Sequence, residues 1–154
     1  MSSIKAGIIG TGFIGPAHVE AARRLGFVEM IALCEAGSEL AKSKAAKLGI
    51  PKAYGSVEEF LADKEIEVVH NCTPNHLHFD ISKKIIAAGK HIISEKPLAM
   101  TTVESRQLVK LAAKAGIVNA IDFNYRYYPL VQEAKAMVES GKLGDIFHAN
   151  GSYT

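Results

Sequence analysis

Short apolar runs alternate along this chain with longer stretches of helical spacing, and that alternation constrains the fold more than any other feature. The runs occupy residues 4–9, 29–33, 67–72, 91–94 and 118–123, with a brief one near Ala53 and Tyr54. Strands that alternate with helices form βαβ units, whose strands lie parallel in one sheet. The core of the first run is continuous rather than alternating, as a strand covered on both faces requires. Helices are expected over 14–25, 38–48 and 76–88, with others behind Ser56, behind Thr101 and from Pro129 to Gly141. Pro16 suits a first helical turn, where a missing N–H costs nothing. Gly49, Gly89 and Gly116 suit helix ends. Ser56 with Glu59, and Thr101 with Glu104, have capping-box spacing. Leu77, Ile81 and Ile85 repeat every four residues on one helical face. The expected architecture is α/β, a doubly wound parallel sheet. The last segment, 145–153, reads as a strand with no place in that sheet.

Composition narrows the partners. A chain of 154 residues buries roughly 70% of its unfolded surface, enough for a core without staples. The net charge is +2 and the lysines are scattered, which describes solvated helix faces and no nucleic-acid stripe. No apolar run approaches the ~18 residues of a membrane helix, so no membrane partner is expected. Cys34 and Cys72 each close an apolar run and read as small buried hydrophobes. With no secretory segment ahead of Ile4, a reducing cytoplasm is the expected location.

The strongest local signal is Gly10-Thr11-Gly12-Phe13-Ile14-Gly15, a G-x-G-x-x-G pattern that follows an expected strand and opens an expected helix. Gly10 permits the tight turn, Gly12 lets a pyrophosphate approach the backbone, and Gly15 lets helix and strand pack closely. The helix N-terminus offers N–H groups and partial positive charge to phosphates. Glu35 stands twenty residues after Gly15, where the second strand ends. A carboxylate there accepts both adenine-ribose hydroxyls and repels a 2′-phosphate, and residues 36–38 contain no cation. NAD is therefore expected as cofactor in preference to NADP.

Ligands of open parallel sheets lie beyond the carboxyl ends of the strands. The remaining ends read Asn71-Cys72-Thr73-Pro74-Asn75-His76-Leu77-His78, Ser94-Glu95-Lys96-Pro97 and Phe123-Asn124-Tyr125-Arg126. With the glycine loop, Glu95-Lys96-Pro97 makes the chain closely resemble the glucose–fructose oxidoreductase and inositol dehydrogenase family, Gfo/Idh/MocA, from Ile4 to Tyr153.

The resemblance implies a Rossmann domain over 1–124. It implies that 125–154 form a junction helix and the first strand of a truncated C-terminal α+β substrate domain. It also implies roles by position. Phe13 and Ile14 would give backbone amides to the pyrophosphate. Thr73, Pro74, Asn75 and His78 would line the cofactor between adenine and nicotinamide ribose. Glu95 and Lys96 would stand near the nicotinamide, with Lys96 as the catalytic residue facing a sugar, cyclitol or related polyol. Asn124 and Arg126 would close that end. His76 and His78 also read as caps of their helix, and their spacing does not share a helical face, so no metal site is expected. Tyr125, Tyr127 and Tyr128 read as packing residues at a domain junction.

The chain has to turn sharply after the fifth strand while aiming Lys96, so a cis Lys96–Pro97 bond is expected. The base that takes the hydroxyl proton would come from the second domain. The segment 145–153 would be mobile or borrowed by a neighbouring copy, giving a homo-oligomer. Two rivals are a nicotinamide-sensing domain without chemistry, which has no need of Lys96, and a methyltransferase using S-adenosylmethionine, whose sheet ends in an antiparallel hairpin.

Overall fold

A computed structural model describes residues 3–152. The chain divides into two compact units, Met1–Asp122 and Phe123–Thr154, a boundary two residues before the one expected from sequence.

The first unit contains six strands: β1 (Ile4–Ile9), β2 (Val28–Cys34), β3 (Lys52–Tyr54), β4 (Val68–Asn71), β5 (His91–Ser94) and β6 (Asn119–Ile121). All pairings are parallel, in the order β3-β2-β1-β4-β5-β6. The chain thus winds outward from β1 in one direction and from β4 in the other. The crevice between them is the topological switch point of a doubly wound sheet, where such folds bind ligands. Among the described residues the sheet is wholly parallel, without the antiparallel hairpin that the methyltransferase reading expected.

The helices α1 (Gly15–Arg24), α2 (Ser38–Leu48), α3 (Val57–Ala62), α4 (His78–Ala87) and α5 (Thr102–Ala115) connect the strands. They form two apolar layers. One gathers Ile9, Ile31, Phe60, Val69, Ile85 and Leu108, the other Ala6, Ile8, Val19, Met30, Leu33 and Ala45. Strands β1 and β2 contribute to both, so from Ala6 and from Met30 onward they carry no polar side chain. The full capping box forms at Thr101, whose hydroxyl accepts the Glu104 N–H while Glu104 answers at the Thr101 N–H. At Ser56 only the first half is made, with the hydroxyl accepting the Glu59 N–H at 3.3 Å. The expected helix over 76–88 divides into a 3₁₀ turn, Asn75–Leu77, and α4.

The second unit holds a 3₁₀ turn, Asn124–Tyr127, and α6 (Pro129–Glu139). Tyr125 and Tyr128 stack with centroids 4.9 Å apart. The expected terminal strand is not formed. Residues 145–152 carry no regular structure, and Tyr153 lies outside the described residues. A strand needs a partner for its N–H and C=O groups, and no pairing reaches this segment.

Candidate cofactor site

The loop between β1 and α1 is shaped by what abuts it. Gly10 has φ +85°, and a Cβ there would sit 2.8 Å from the Cys72 carbonyl oxygen. A Cβ on Gly15 would lie 2.6 Å from the Gly10 oxygen. Gly12 differs, since a Cβ there would meet nothing within 4 Å. The protein itself leaves that position open, which is the shape of a cradle that a bound group fills. Helix α1 begins without a side-chain cap at Ile14. The N–H groups of Gly12, Phe13 and Ile14 donate to no acceptor among the described residues. Exposed donors at a helix N-terminus suit a phosphate.

Glu35 follows β2 and is half-buried. Its Oε1 accepts the Thr11 N–H at 2.6 Å and the Thr11 hydroxyl at 2.5 Å. Its Oε2 has no protein donor among the described residues. Lys44, from the middle of α2, reaches the Thr11 carbonyl at 3.3 Å. Residues 36–38 hold no cation, but α2 brings Lys44 back to the glycine loop.

After β4, the Asn71 side chain is fully buried and its Oδ1 accepts the Thr73 hydroxyl at 2.8 Å. Pro74 and Asn75 are exposed beside it. His78 departs from its expected place along the cofactor. It is 1% exposed, with Nδ1 2.6 Å from the Pro97 carbonyl and Nε2 2.8 Å from the Thr73 carbonyl. Both ring nitrogens are engaged inside the protein because α4 starts at this residue and turns the ring under the loops.

After β5, Lys96 is exposed and Glu95 is buried. The Lys96–Pro97 bond is cis. Glu95 belongs to a cluster that the sequence reading missed. His18 Nε2 lies 3.0 Å from Glu95 Oε1 and 3.3 Å from Asp122 Oδ2. His18 Nδ1 lies 3.0 Å from His70 Nδ1. Burial, with His18 nearby, lowers the His70 pKa to about 4. Burial raises Asp122 above its ordinary range, and the Glu95 carboxylate adds to the rise against the pull of His18. Burial likewise pushes the Cys34 thiol to about 12 and raises that of Cys72, and both cysteines are free, as small buried hydrophobes.

Asp122 could have been noticed, as a carboxylate closing an apolar run like Glu35. His18 could not, because nothing in a helix sequence reveals which strand end it faces. His18, Glu95 and Asp122 are also a donor set of the kind that holds metals, with ligand atoms within 4.8 Å of one another. Within the group, His18 is hydrogen-bonded to Glu95 and lies within ion-pair distance of Asp122.

In the second unit, Asn124 opens the 3₁₀ turn and Arg126 lies 5.9 Å from the Phe123 ring centre. Among the described residues no helix is long and apolar enough to cross a membrane.

A family model described as an oxidoreductase family with an NAD-binding Rossmann fold matches residues 4–123. The chain belongs to the Gfo/Idh/MocA oxidoreductase family. Among Gfo/Idh/MocA relatives, levoglucosan dehydrogenase of Pseudarthrobacter phenanthrenivorans is 38% identical, across 99% of this chain and 41% of its own length. An NADP-dependent D-xylose 1-dehydrogenase of Haloferax volcanii is 33% identical, across 96% of this chain and 45% of its own. A solved levoglucosan dehydrogenase in complex with NADH and levoglucosan superposes with a TM-score of 0.88 at 36% identity, over 93% of this chain and 40% of that one. The chain therefore spans about two fifths of the length of the Gfo/Idh/MocA relatives it matches.

Proposed function

We propose that this chain is the NAD-preferring cofactor half of an oxidoreductase that moves hydride between the nicotinamide and a hydroxyl-bearing carbon of a sugar, cyclitol or related polyol. The observation that carries the reading is Glu35. Thr11 pins one carboxylate oxygen, and the other is left beside the glycine loop to accept ribose hydroxyls.

The nicotinamide ring supplies the hydride chemistry when the cofactor is bound. The chain's own residues bind and orient it. The amides of Phe13 and Ile14 take the pyrophosphate, with Gly10, Gly12 and Gly15 keeping the backbone close. Thr73, Pro74 and Asn75 line the path toward the nicotinamide. Glu95 holds the loop, and Lys96 orients and polarises the substrate hydroxyl. The relatives named for levoglucosan and D-xylose support a small sugar as the substrate class.

A carboxylate beside a 2′-phosphate costs at least ~1 kcal/mol in a partly screened site. Calorimetric titration with NADH and NADPH tests the reading. NADH is expected to bind about tenfold more tightly or better. Equal affinities would remove Glu35 from its role, and binding of neither would overturn the cofactor assignment.

A further inference from the structure

The Lys96 loop is gripped from two sides by buried histidines to which the proposed function gives no task. On one side stands His18, 8% exposed, on α1 one turn beyond the glycine loop. Its Nε2 faces two carboxylate oxygens, of Glu95 at 3.0 Å and Asp122 at 3.3 Å. Oxygens of that kind accept, so this nitrogen donates. The second oxygen of Glu95 accepts the backbone N–H of Lys96 at 3.1 Å. His70, edge-on to His18 with rings 87° apart, fixes the plane of the imidazole.

On the other side stands His78. Its two nitrogens face the carbonyls of Pro97 at 2.6 Å and Thr73 at 2.8 Å. Carbonyl oxygens only accept, so the ring nitrogen that carries the hydrogen donates to the carbonyl it faces, and the ring is held between the two. Residues 95 and 97 are therefore each held by a histidine distant in sequence, while Lys96 between them stays exposed. Apolar packing would hold these elements together at lower desolvation cost, but hydrogen bonds specify direction and distance.

We propose that His18 and His78 are positioning residues that together set the direction of Lys96, and through it the seat of the nicotinamide. The inference rests on the proposed placement of Lys96 beside that ring. His18 ties the loop to the helix whose N-terminus faces the pyrophosphate, and His78 ties it to the loop after β4. Neither histidine touches the cofactor.

The test compares NADH with ADP-ribose, which has the same adenine, pyrophosphate and riboses but no nicotinamide. In the 154-residue chain, His18→Leu and His78→Leu are each expected to weaken NADH about tenfold and to leave ADP-ribose within about twofold. His18→Gln and His78→Gln, which retain a donor, recover part of the loss. Lys96→Met weakens NADH similarly, and adding either histidine substitution to it costs little more, because the residues act as one unit.

Equal losses for both ligands would reduce the histidines to general packing and overturn the proposal. Fully additive losses would do the same. If the unsubstituted chain binds NADH but Lys96→Met changes nothing, the placement of Lys96 fails and the proposal with it. If it binds neither ligand, the cofactor reading has failed and the positioning role falls too.

Should a leucine variant not fold, ring-nitrogen NMR of the unsubstituted chain decides. Hydrogen is expected on Nε2 of His18, and the ring hydrogen of His78 is expected to be protected from exchange by the carbonyl it faces. A bare Nε2 on His18, or a His78 ring hydrogen in fast exchange with water, would overturn the proposal.

Discussion

Thr11 donates twice to one oxygen of Glu35, from its backbone N–H at 2.6 Å and its hydroxyl at 2.5 Å. The residue inside the glycine loop thereby orients the carboxylate at the end of the neighbouring strand, and leaves Oε2 without a protein donor among the described residues. Lys44 is held at the carbonyl of the same threonine. Replacing Glu35 by Ser removes the negative charge and leaves that ammonium as the nearest ion. The ratio of NADPH to NADH affinity is expected to rise about tenfold or more, a change of ~1.4 kcal/mol. Adding Lys44→Met is expected to reverse the gain. An unchanged ratio in Glu35→Ser would show that the carboxylate does not select the cofactor.

Gly12 and Gly15 separate binding from folding. A Cβ at Gly12 meets open space, whereas one at Gly15 lies 2.6 Å from the Gly10 carbonyl oxygen. Gly12→Ala is expected to leave the melting temperature nearly unchanged and to abolish NADH binding. Gly15→Ala is expected to lose both, with about 1–3 kcal/mol of stability going to backbone displacement. Melting curves with and without NADH distinguish the two variants.

The pH dependence of stability has a definite sign at His70. Its pKa is about 4 in the fold, against an ordinary 6.5. Between these values the unfolded chain holds one more proton, so stability rises with pH across that window and falls on acidification through it. His18 is the group that faces it directly. Asp122 is raised, so its contribution has the opposite slope, being lost as pH rises. Urea unfolding of the native chain and of His70→Leu between pH 4 and 6.5 isolates the histidine. The substitution is expected to flatten the curve by up to about 1.4 kcal/mol per pH unit. Parallel curves would place His70 outside the linkage.

Phe60 closes one apolar layer. It is fully buried, and its ring fills the space where a side chain on Gly7 would point. Phe60→Ala is expected to lower stability by about 3–5 kcal/mol, since the cavity adds to the lost transfer energy. A loss under 1 kcal/mol, read from the denaturant midpoint, would mean that the neighbouring strands collapse into the gap.

Most of the fold was legible because it rests on periodicity and punctuation. Continuous apolar runs marked β1, β2 and β4, and the residues of the Thr101 box marked the start of α5. The glycine loop and Glu35 were legible because each is a single residue type at a required spacing from a strand end. The segment 145–152 forms no strand within the described residues, because an apolar pattern reports suitability for a strand and a strand needs a partner, which this sheet does not offer it. His78 was misread for a related reason: its position beside the Thr73–Asn75 loop was correct, but the direction of its ring depends on where α4 begins.

The sequence by itself determined the alternation of strands and helices, the glycine turn between β1 and α1 and the carboxylate that follows β2, all set by local spacing. Only the tertiary structure decided which side chains meet at the ends of β4, β5 and β6. His18, His70, Glu95 and Asp122 come from four separate elements and converge because parallel strands with crossover helices bring distant residues to one edge of the sheet. Their contacts depend on strand order and helix rotation, which the spacing of residues along the chain does not encode.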